Sequence, residues 1–498
     1  MTLSNRFRFR TLPSTNMNRI LLIITFVSLA FSLHAKPLNV IVFLVDDMGW
    51  MDLSAQGSDY YRTPNIDRLA RDGIRFTDAY AACAVCSPTR AAVQTGRYPG
   101  RTGVTDWIRS RFQRGKLGTP KGNPTTWVGG SKRKLLCPPN PFWMESSEIT
   151  IAEMLGKQGF KSAHIGKWHL GDDAWYPTEQ GYTVNKGGCD YGQPPSYFDP
   201  YNKPKHQHQM IRAGIPHLPG REKGQYLTHR EAEEAVELIR QWKAEPFFLH
   251  IANYAVHTPI QAIDSVAAKY KREDKKDVNA KYAAMVESVD DCVGSVLKTL
   301  DQLKLADNTL IIFTSDNGGL DRNGGPTENA PLRSGKGFAY EGGIRVPFIM
   351  RWPGVVPPGS VSHQPISSVD IFPTVMEATG TKLPKDRVID GKSLVAHAKS
   401  GGTRKLKRDE LFWHFPHYRH DPGPYSIIRQ GDYKLIKFYE GINELYDLKN
   451  DLEESENLAE KMPGKVKELD KRLIAGLKRM GAKIPRPNPG FEARGRKK

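Results

Sequence analysis

Apolar and polar positions along the chain fall into two alternating rhythms. Asn39-Val40-Ile41-Val42-Phe43-Leu44-Val45, Phe247-Phe248-Leu249-His250-Ile251-Ala252 and Thr309-Leu310-Ile311-Ile312-Phe313-Thr314 are nearly unbroken apolar runs. Runs of this kind mark strands buried on both faces. A shorter strand is predicted over residues 162–165. Helical stretches lie between the strands. Pro64 opens a helix to about residue 72, since proline suits a first helical turn. Thr150 with Glu153, and Thr228 with Glu231, have the spacing of capping boxes ahead of helices over 151–157 and 232–242. Residues 278–303 read as one long amphipathic helix. Strands interleaved with helices predict an α/β domain over residues 36–402, with a large, mostly parallel sheet flanked by helices.

The rhythm changes after the basic linker at residues 401–408. Short aromatic strands are predicted at 411–415, 425–429 and 433–439. A helix over 466–480 follows, with Leu469, Leu473 and Leu477 on one face. This is a small antiparallel sheet with one helix, a C-terminal subdomain over 403–484. The tail, 485–498, is rich in Pro, Gly and Arg and is predicted to be mobile. No internal repeat is visible.

At the other end, Arg6, Arg8, Arg10 and Arg19 precede an apolar run from Ile20 to Leu33, closed by His34-Ala35. The run is shorter than the ~20 residues that span a bilayer. Residues 1–35 therefore read as a secretory signal cut after Ala35, with Met17 a second candidate start. No cysteine lies at the cut, so no stable membrane anchor is expected once it is removed. The expected location is periplasmic or secreted. The whole chain has a formal charge of +18, and removing the four leader arginines leaves +14. A basic surface concentrates acidic partners. Five cysteines, an odd number, in an exported chain leave at least one free, chemically converted or paired between molecules.

One of them, Cys86, begins the stretch Cys86-Ser87-Pro88-Thr89-Arg90, which runs on to Thr95-Gly96-Arg97. Placing Pro88 first in a helix and Gly96 at its stop puts Cys86 just before the N-terminus, where free N–H groups favour an anion. Arg90 adds a fixed charge one turn in. An inert buried cysteine, a Cys83/Cys86 redox pair and a zinc site are the competing readings of these residues alone. Asp46-Asp47 and Asp316-Asn317 each follow a buried strand, where α/β sheets gather ligands. Three carboxylates and an amide oxygen suit a hard cation, Ca²⁺ or Mg²⁺. Lys167 and His169 (Gly166-Lys167-Trp168-His169), His257 (Val256-His257-Thr258-Pro259) and Lys336 (Gly335-Lys336-Gly337) occupy comparable turns.

Taken together and in order, these segments resemble the type I, formylglycine-dependent sulfatases of the alkaline phosphatase superfamily. The resemblance runs from about Leu38 to Gly391, and more weakly through Glu444-Leu445-Tyr446-Asp447-Leu448. Thr89 stands where serine is commoner, and Val93 where leucine is usual. The resemblance implies an alkaline phosphatase-like fold and hydrolysis of a sulfate ester. It implies one divalent cation per chain, Ca²⁺ or Mg²⁺, on Asp46, Asp47, Cys86, Asp316 and Asn317. Cys86, oxidised to formylglycine by a formylglycine-generating or other sulfatase-maturing enzyme, would supply the nucleophile. His257 would protonate the leaving alcohol, Lys336 hold the ester oxygens and His169 act as the base of the second step. Arg90 and Lys167 would orient the nucleophile and offset charge.

Two other classes compete. A phosphoryl or phosphonyl hydrolase on the same fold would be expected to use Ser or Thr with two zinc ions. A non-catalytic binder of sulfated polymers has no need of Asp46, Asp47 and Asp316. The expected substrate is a sulfated carbohydrate held near a chain end, and not a nucleic acid. His414, His417 and Arg419, in Trp413-His414-Phe415-Pro416-His417-Tyr418-Arg419-His420, are its candidate contacts, because aromatic, imidazole and guanidinium groups suit sugars and their acidic substituents.

Overall fold

The computed structural model describes residues 38–108, 122–205, 212–322 and 324–492. The predicted leader therefore lies outside the described residues. An eight-stranded sheet runs in the order Ser360–Ser362, Ile74–Phe76, Phe348–Arg351, Thr309–Ser315, Asn39–Val45, Phe247–Ala252, Lys161–Gly166, Val184–Lys186. All neighbours are parallel except Phe348–Arg351, which is antiparallel to both of its partners. The strongly apolar strands lie at the centre of this order. The shorter ones, with weaker sequence signals, lie further out.

The packing of Asn39–Val45 shows why it is apolar from Val40 onward. Ile41, Phe43 and Val45 enter one core with the helices Pro64–Arg71, Leu227–Gln241 and Asp277–Gln302. Val40, Val42 and Leu44 enter another with the helices Cys86–Thr95, Ile151–Gly156 and Ile371–Ala378. The period-2 alternation feeds opposite layers, so neither face tolerates a polar residue.

The second sheet is antiparallel: Glu410–Phe415, Tyr425–Gln430, Tyr433–Phe438 and Asn443–Asp447. One face, with Leu411, Trp413, Phe415 and Ile427, packs on Cys83, Ala84 and Val85. The other, with Phe412, Ile428 and Leu435, takes Leu469, Leu473 and Leu477 of the helix Pro463–Met480. This sheet therefore supports the segment that leads into Cys86, and from Leu38 onward the chain forms one compact unit. Among the described residues no helix is long and apolar enough to cross a membrane.

Three local expectations are corrected. The helix predicted to begin at Pro88 begins at Cys86, with Val85 as the extended N-cap, so Cys86 is the first helical residue. The box at Thr150 and Glu153 is present, but Thr228 lies inside a helix capped at Tyr226 without a side-chain bond. Arg486 and Pro487 are not free tail, because they pair with Leu136 and Leu135.

Candidate active site

The carboxyl ends of the central strands place the acids. Asp46 and Asp47 follow Val45, and Asp316 and Asn317 follow the neighbouring Ser315. Asp47 holds a left-handed backbone, φ 61°, and its N–H donates to Asp316 Oδ1 at 3.1 Å. The Asn317 amide donates to Asp47 Oδ1 at 2.8 Å. These two bonds lock the adjacent strand ends together. His169 is also left-handed, φ 59°. A side chain in that region costs energy that only the surrounding structure can offset, and such residues gather at functional sites.

A buried ring of cations answers the acids. Arg90 reaches Asp316 Oδ2 with Nε at 2.9 Å and Nη2 at 2.7 Å, and donates through Nη1 to the Lys167 carbonyl at 2.6 Å. Lys167 Nζ lies 2.7 Å from Asp46 Oδ2, and Lys336 Nζ 2.6 Å from Asp47 Oδ1. His257 Nε2 stands 3.4 Å from Asp47 Oδ2. One oxygen on each side is left over. Asp46 Oδ1 and Asn317 Oδ1 are buried without a hydrogen-bond donor, the former with only Arg90 Nη2 at 3.5 Å. Ligand atoms of Asp46, Asp47, Cys86 and His257 all lie within 4.8 Å of one another.

Glycines make this closeness possible. A Cβ on Gly318 would sit 1.7 Å from the Gly342 carbonyl oxygen, and one on Gly342 would sit 2.1 Å from that of Ser334. The Asp316-Asn317 turn and the loop carrying Lys336 thus meet backbone to backbone.

The same environment divides the titrating groups. Burial works against the Cys86 thiolate, but Lys167 and Lys336 outweigh it and bring the thiol down to about 6. At Cys83, three residues away, burial outweighs the backbone N–H groups and Arg419 and pushes the thiol up to about 12. Neither is in a disulfide, which leaves the redox pair unmade. Burial would lower His257, yet Asp47 raises it; burial with Lys167 and Arg90 holds His169 well below its ordinary range.

Tautomers follow from the acceptors. His169 Nε2 lies 2.8 Å from the Ile108 carbonyl, so it carries the proton, and the buried Nδ1 has no partner. Ser87 fixes this arrangement, donating to the His169 carbonyl at 2.9 Å and accepting from the Ile108 N–H at 2.9 Å. His257 Nδ1 donates to the Thr258 carbonyl at 2.9 Å, so the proton it gains on becoming cationic sits on Nε2. Thr89 keeps the hydroxyl function of serine, donating to the Cys83 carbonyl at 3.1 Å and accepting from the Cys83 N–H at 3.1 Å.

Above these groups a cavity of about 530 Å³ opens between Cys86, His169, His257 and Lys336 on the floor and Trp107, Tyr191, Gln193, Lys203 and Arg419 on the walls. Cys86, Arg90, Lys167, His169, His257, Lys336, Asp46, Asp47, Asp316 and Asn317 are therefore brought together. Of the three expected substrate contacts, only Arg419 lines the cavity. His414 is a correction: it is 3% exposed and bonded to Ser426 Oγ at 2.7 Å and the Lys483 carbonyl at 3.2 Å. His417 is another, buried with Nε2 2.8 Å from Thr105 Oγ1. Trp107, Tyr191, Gln193 and Lys203 escaped the sequence reading. Tyr191-Gly192-Gln193-Pro194-Pro195 looks like any turn until it is seen facing His169.

The site lies on a fold shared with the phosphonate monoester hydrolase of Agrobacterium radiobacter, which superposes with a TM-score of 0.62 at 21% identity. That likeness is one of fold, the alkaline phosphatase-like architecture of a large, mostly parallel sheet with flanking helices. The family model described as Sulfatase matches residues 38–381, and one described as N-sulphoglucosamine sulphohydrolase, C-terminal, matches residues 334–483. A sulfatase from Formosa agariphila is 34% identical, covering 86% of this chain and 86% of its own length. The N-acetylgalactosamine-6-sulfatase of Canis lupus familiaris is 34% identical over 76% of this chain and 69% of that protein. The steryl-sulfatase of Rattus norvegicus is 32% identical over 72% and 69%. The crystal structure of Ps i-CgsB in complex with k-i-k-neocarrahexaose has a TM-score of 0.74 at 28% identity, covering 89% of this chain and 93% of that one. The chain belongs to the formylglycine-dependent sulfatase family and is a sulfuric ester hydrolase.

Proposed function

We propose that this sulfatase removes sulfate from a sulfated carbohydrate outside the cytoplasm, using a formylglycine made from Cys86 by a sulfatase-maturing enzyme and one divalent cation. The observation that carries the reading is the clustering of Asp46, Asp47, Cys86 and His257 ligand atoms within 4.8 Å of one another beside two buried oxygens that lack donors. Asp46, Asp47, Asp316 and Asn317 would hold the cation, and an all-oxygen set with a net negative charge fits Ca²⁺ or Mg²⁺. When bound, the cation neutralises sulfate oxygens and favours the ionised form of a nearby hydroxyl. Sγ of Cys86 marks the place of the aldehyde oxygen, and formylglycine supplies, in water, a hydroxyl nucleophile in place of a thiol.

The chain's own groups perform the rest. Lys336 neutralises the ester oxygens, while His257 holds a proton at Nε2 for the departing alcohol. His169 offers the Nδ1 lone pair, fixed by its Nε2 bond to Ile108, to take a proton in the step that releases sulfate. Arg90 and Lys167, both buried, pair with Asp316 and Asp46 and hold the acids in place.

The relatives named above include one that acts on an N-acetylgalactosamine sulfate and one named for steryl sulfate, so likeness alone does not choose the alcohol. The cavity favours a sugar. Trp107 offers an aromatic face, and Gln193, Lys203 and Arg419 offer polar and cationic groups that a steroid would leave unpaired. The basic leader and the net charge of +14 without it support export and an acidic substrate. Elemental analysis and thermal melting test the metal. One Ca²⁺ or Mg²⁺ per chain, with a melting temperature lowered by a chelator and restored by that ion, is expected; stoichiometric zinc contradicts it. Purified enzyme assayed on sulfated glycans and an aryl sulfate tests the substrate.

A further inference from the structure

The floor of the cavity balances its own charge: Asp46, Asp47 and Asp316 face Lys167, Lys336 and Arg90. The rim does not. Among the described residues, Lys203 and Arg419 line the cavity, no Asp or Glu does, and neither cation has an ion pair or a side-chain hydrogen bond.

Arg419 is placed there by its surroundings. Its turn docks on the loop of Lys336, with His420 stacked on Phe338 at 4.1 Å between ring centres and 5° between planes. Gly337 lies beneath with φ 90°, and a Cβ there would sit 2.6 Å from Arg419 Nε. The positive φ favours glycine at this position, and without a Cβ the guanidinium rests against the backbone next to Lys336. Lys203, in the segment after Tyr201, lines the same cavity. Among the described residues these two cations pair with no acid, and they come in addition to Lys167, Lys336 and Arg90, which already face Asp46, Asp47 and Asp316; together they hold more positive charge than one sulfate requires.

We infer that Lys203 and Arg419 bind a second anionic group of the substrate, a sulfate or a carboxylate on the same or the adjoining sugar, which is retained while the first sulfate is hydrolysed. This rests on the carbohydrate reading above. Arg419 gives a forked pair of donors, and Lys203 a point charge. A sugar with a single sulfate leaves both without a partner.

The test compares kcat/KM of the matured enzyme on a monosulfated monosaccharide, a disulfated monosaccharide, and a monosulfated disaccharide carrying a uronate. The two dianionic arms separate sulfate from carboxylate. Wild type should prefer at least one dianionic sugar by about 10-fold or more, the worth of a charge-assisted bond. Rising salt should shrink that ratio. Lys203→Ala with Arg419→Ala should bring it close to one, and Arg419→Lys should restore part of it. A ratio of one in wild type on both arms, or a ratio unmoved in the double variant, overturns the inference alone. Turnover of nitrophenyl sulfate with no turnover of any sugar overturns the carbohydrate reading as well.

Discussion

At the scale of single residues, the two histidines are given different work by their neighbours. His257 is raised above its ordinary value near 6.5 by Asp47, which offsets its burial; His169 is held well below it by burial and two cations. A group that must be protonated acts below its pKa and fails as pH rises through it. The alkaline limb of kcat/KM should therefore belong to His257 and lie above its ordinary value, and His257→Gln should remove that limb. The same variant should lose about 10²–10⁴-fold on a sugar sulfate, whose alcohol leaves poorly, and much less on nitrophenyl sulfate, which needs little help from an acid. Equal losses on both would deny His257 the role of acid. Away from the site, burial pushes Glu231 up to about 8, against two bonds from Asn253 and the Tyr254 N–H. A raised carboxyl stabilises fully below its unfolded value of 4.5, and that stability is lost as pH rises through about 8. Melts of Glu231→Gln should lack a slope of up to ~1.4 kcal/mol per pH unit across that window. His414 shows where reading single residues misleads. Among Trp413, Phe415 and Tyr418 it looks like part of a sugar site, but its strand lies between two cores and its ring is spent on Ser426 and Lys483.

At the scale of elements, the three central strands were legible because their apolar runs answer two cores at once, and no helix of that length needs such a run. Asp46, Asp47, Asp316 and Asn317 were legible because they follow those strands. The cradle that brings Lys336 to them was not. Gly318 and Gly342 are ordinary turn glycines in the sequence, and only the fold shows that they touch. Overpacking there should be costly: Gly342→Ala, aimed 2.1 Å from the Ser334 carbonyl, should lower stability by about 1–3 kcal/mol in chemical denaturation. It should also cut turnover, because Lys336 moves with its loop. A variant with normal stability and turnover would show that the loop seats itself without the glycine. Ile74–Phe76, Phe348–Arg351 and Val184–Lys186 are too short to carry a period of their own, which is why the antiparallel strand within the large sheet went unread.

At the scale of the whole molecule, the two sheets are joined through charge as well as apolar contact. Lys434 of the small sheet is fully buried between Glu341 at 3.0 Å and Glu454 at 2.8 Å, and Glu341 also meets Arg345 at 3.2 Å. Removing one member of such a group leaves buried charge without a partner, so Lys434→Met should cost about 3–5 kcal/mol in equilibrium unfolding. A loss under ~1 kcal/mol would mean that the apolar contacts alone hold the sheets together. Because the small sheet packs on Cys83, Ala84 and Val85, that loss should reach the nucleophile as well. Everything proposed for the floor of the cavity rests on the chemical state of Cys86. The most direct test is to prepare the protein with and without a sulfatase-maturing enzyme and to measure, on each sample, the mass of the peptide containing Cys86 and the turnover of a sulfated sugar. Turnover should rise in proportion to the fraction of Cys86 found as formylglycine and vanish in Cys86→Ala. Full turnover by protein whose Cys86 is an unmodified thiol would contradict the account.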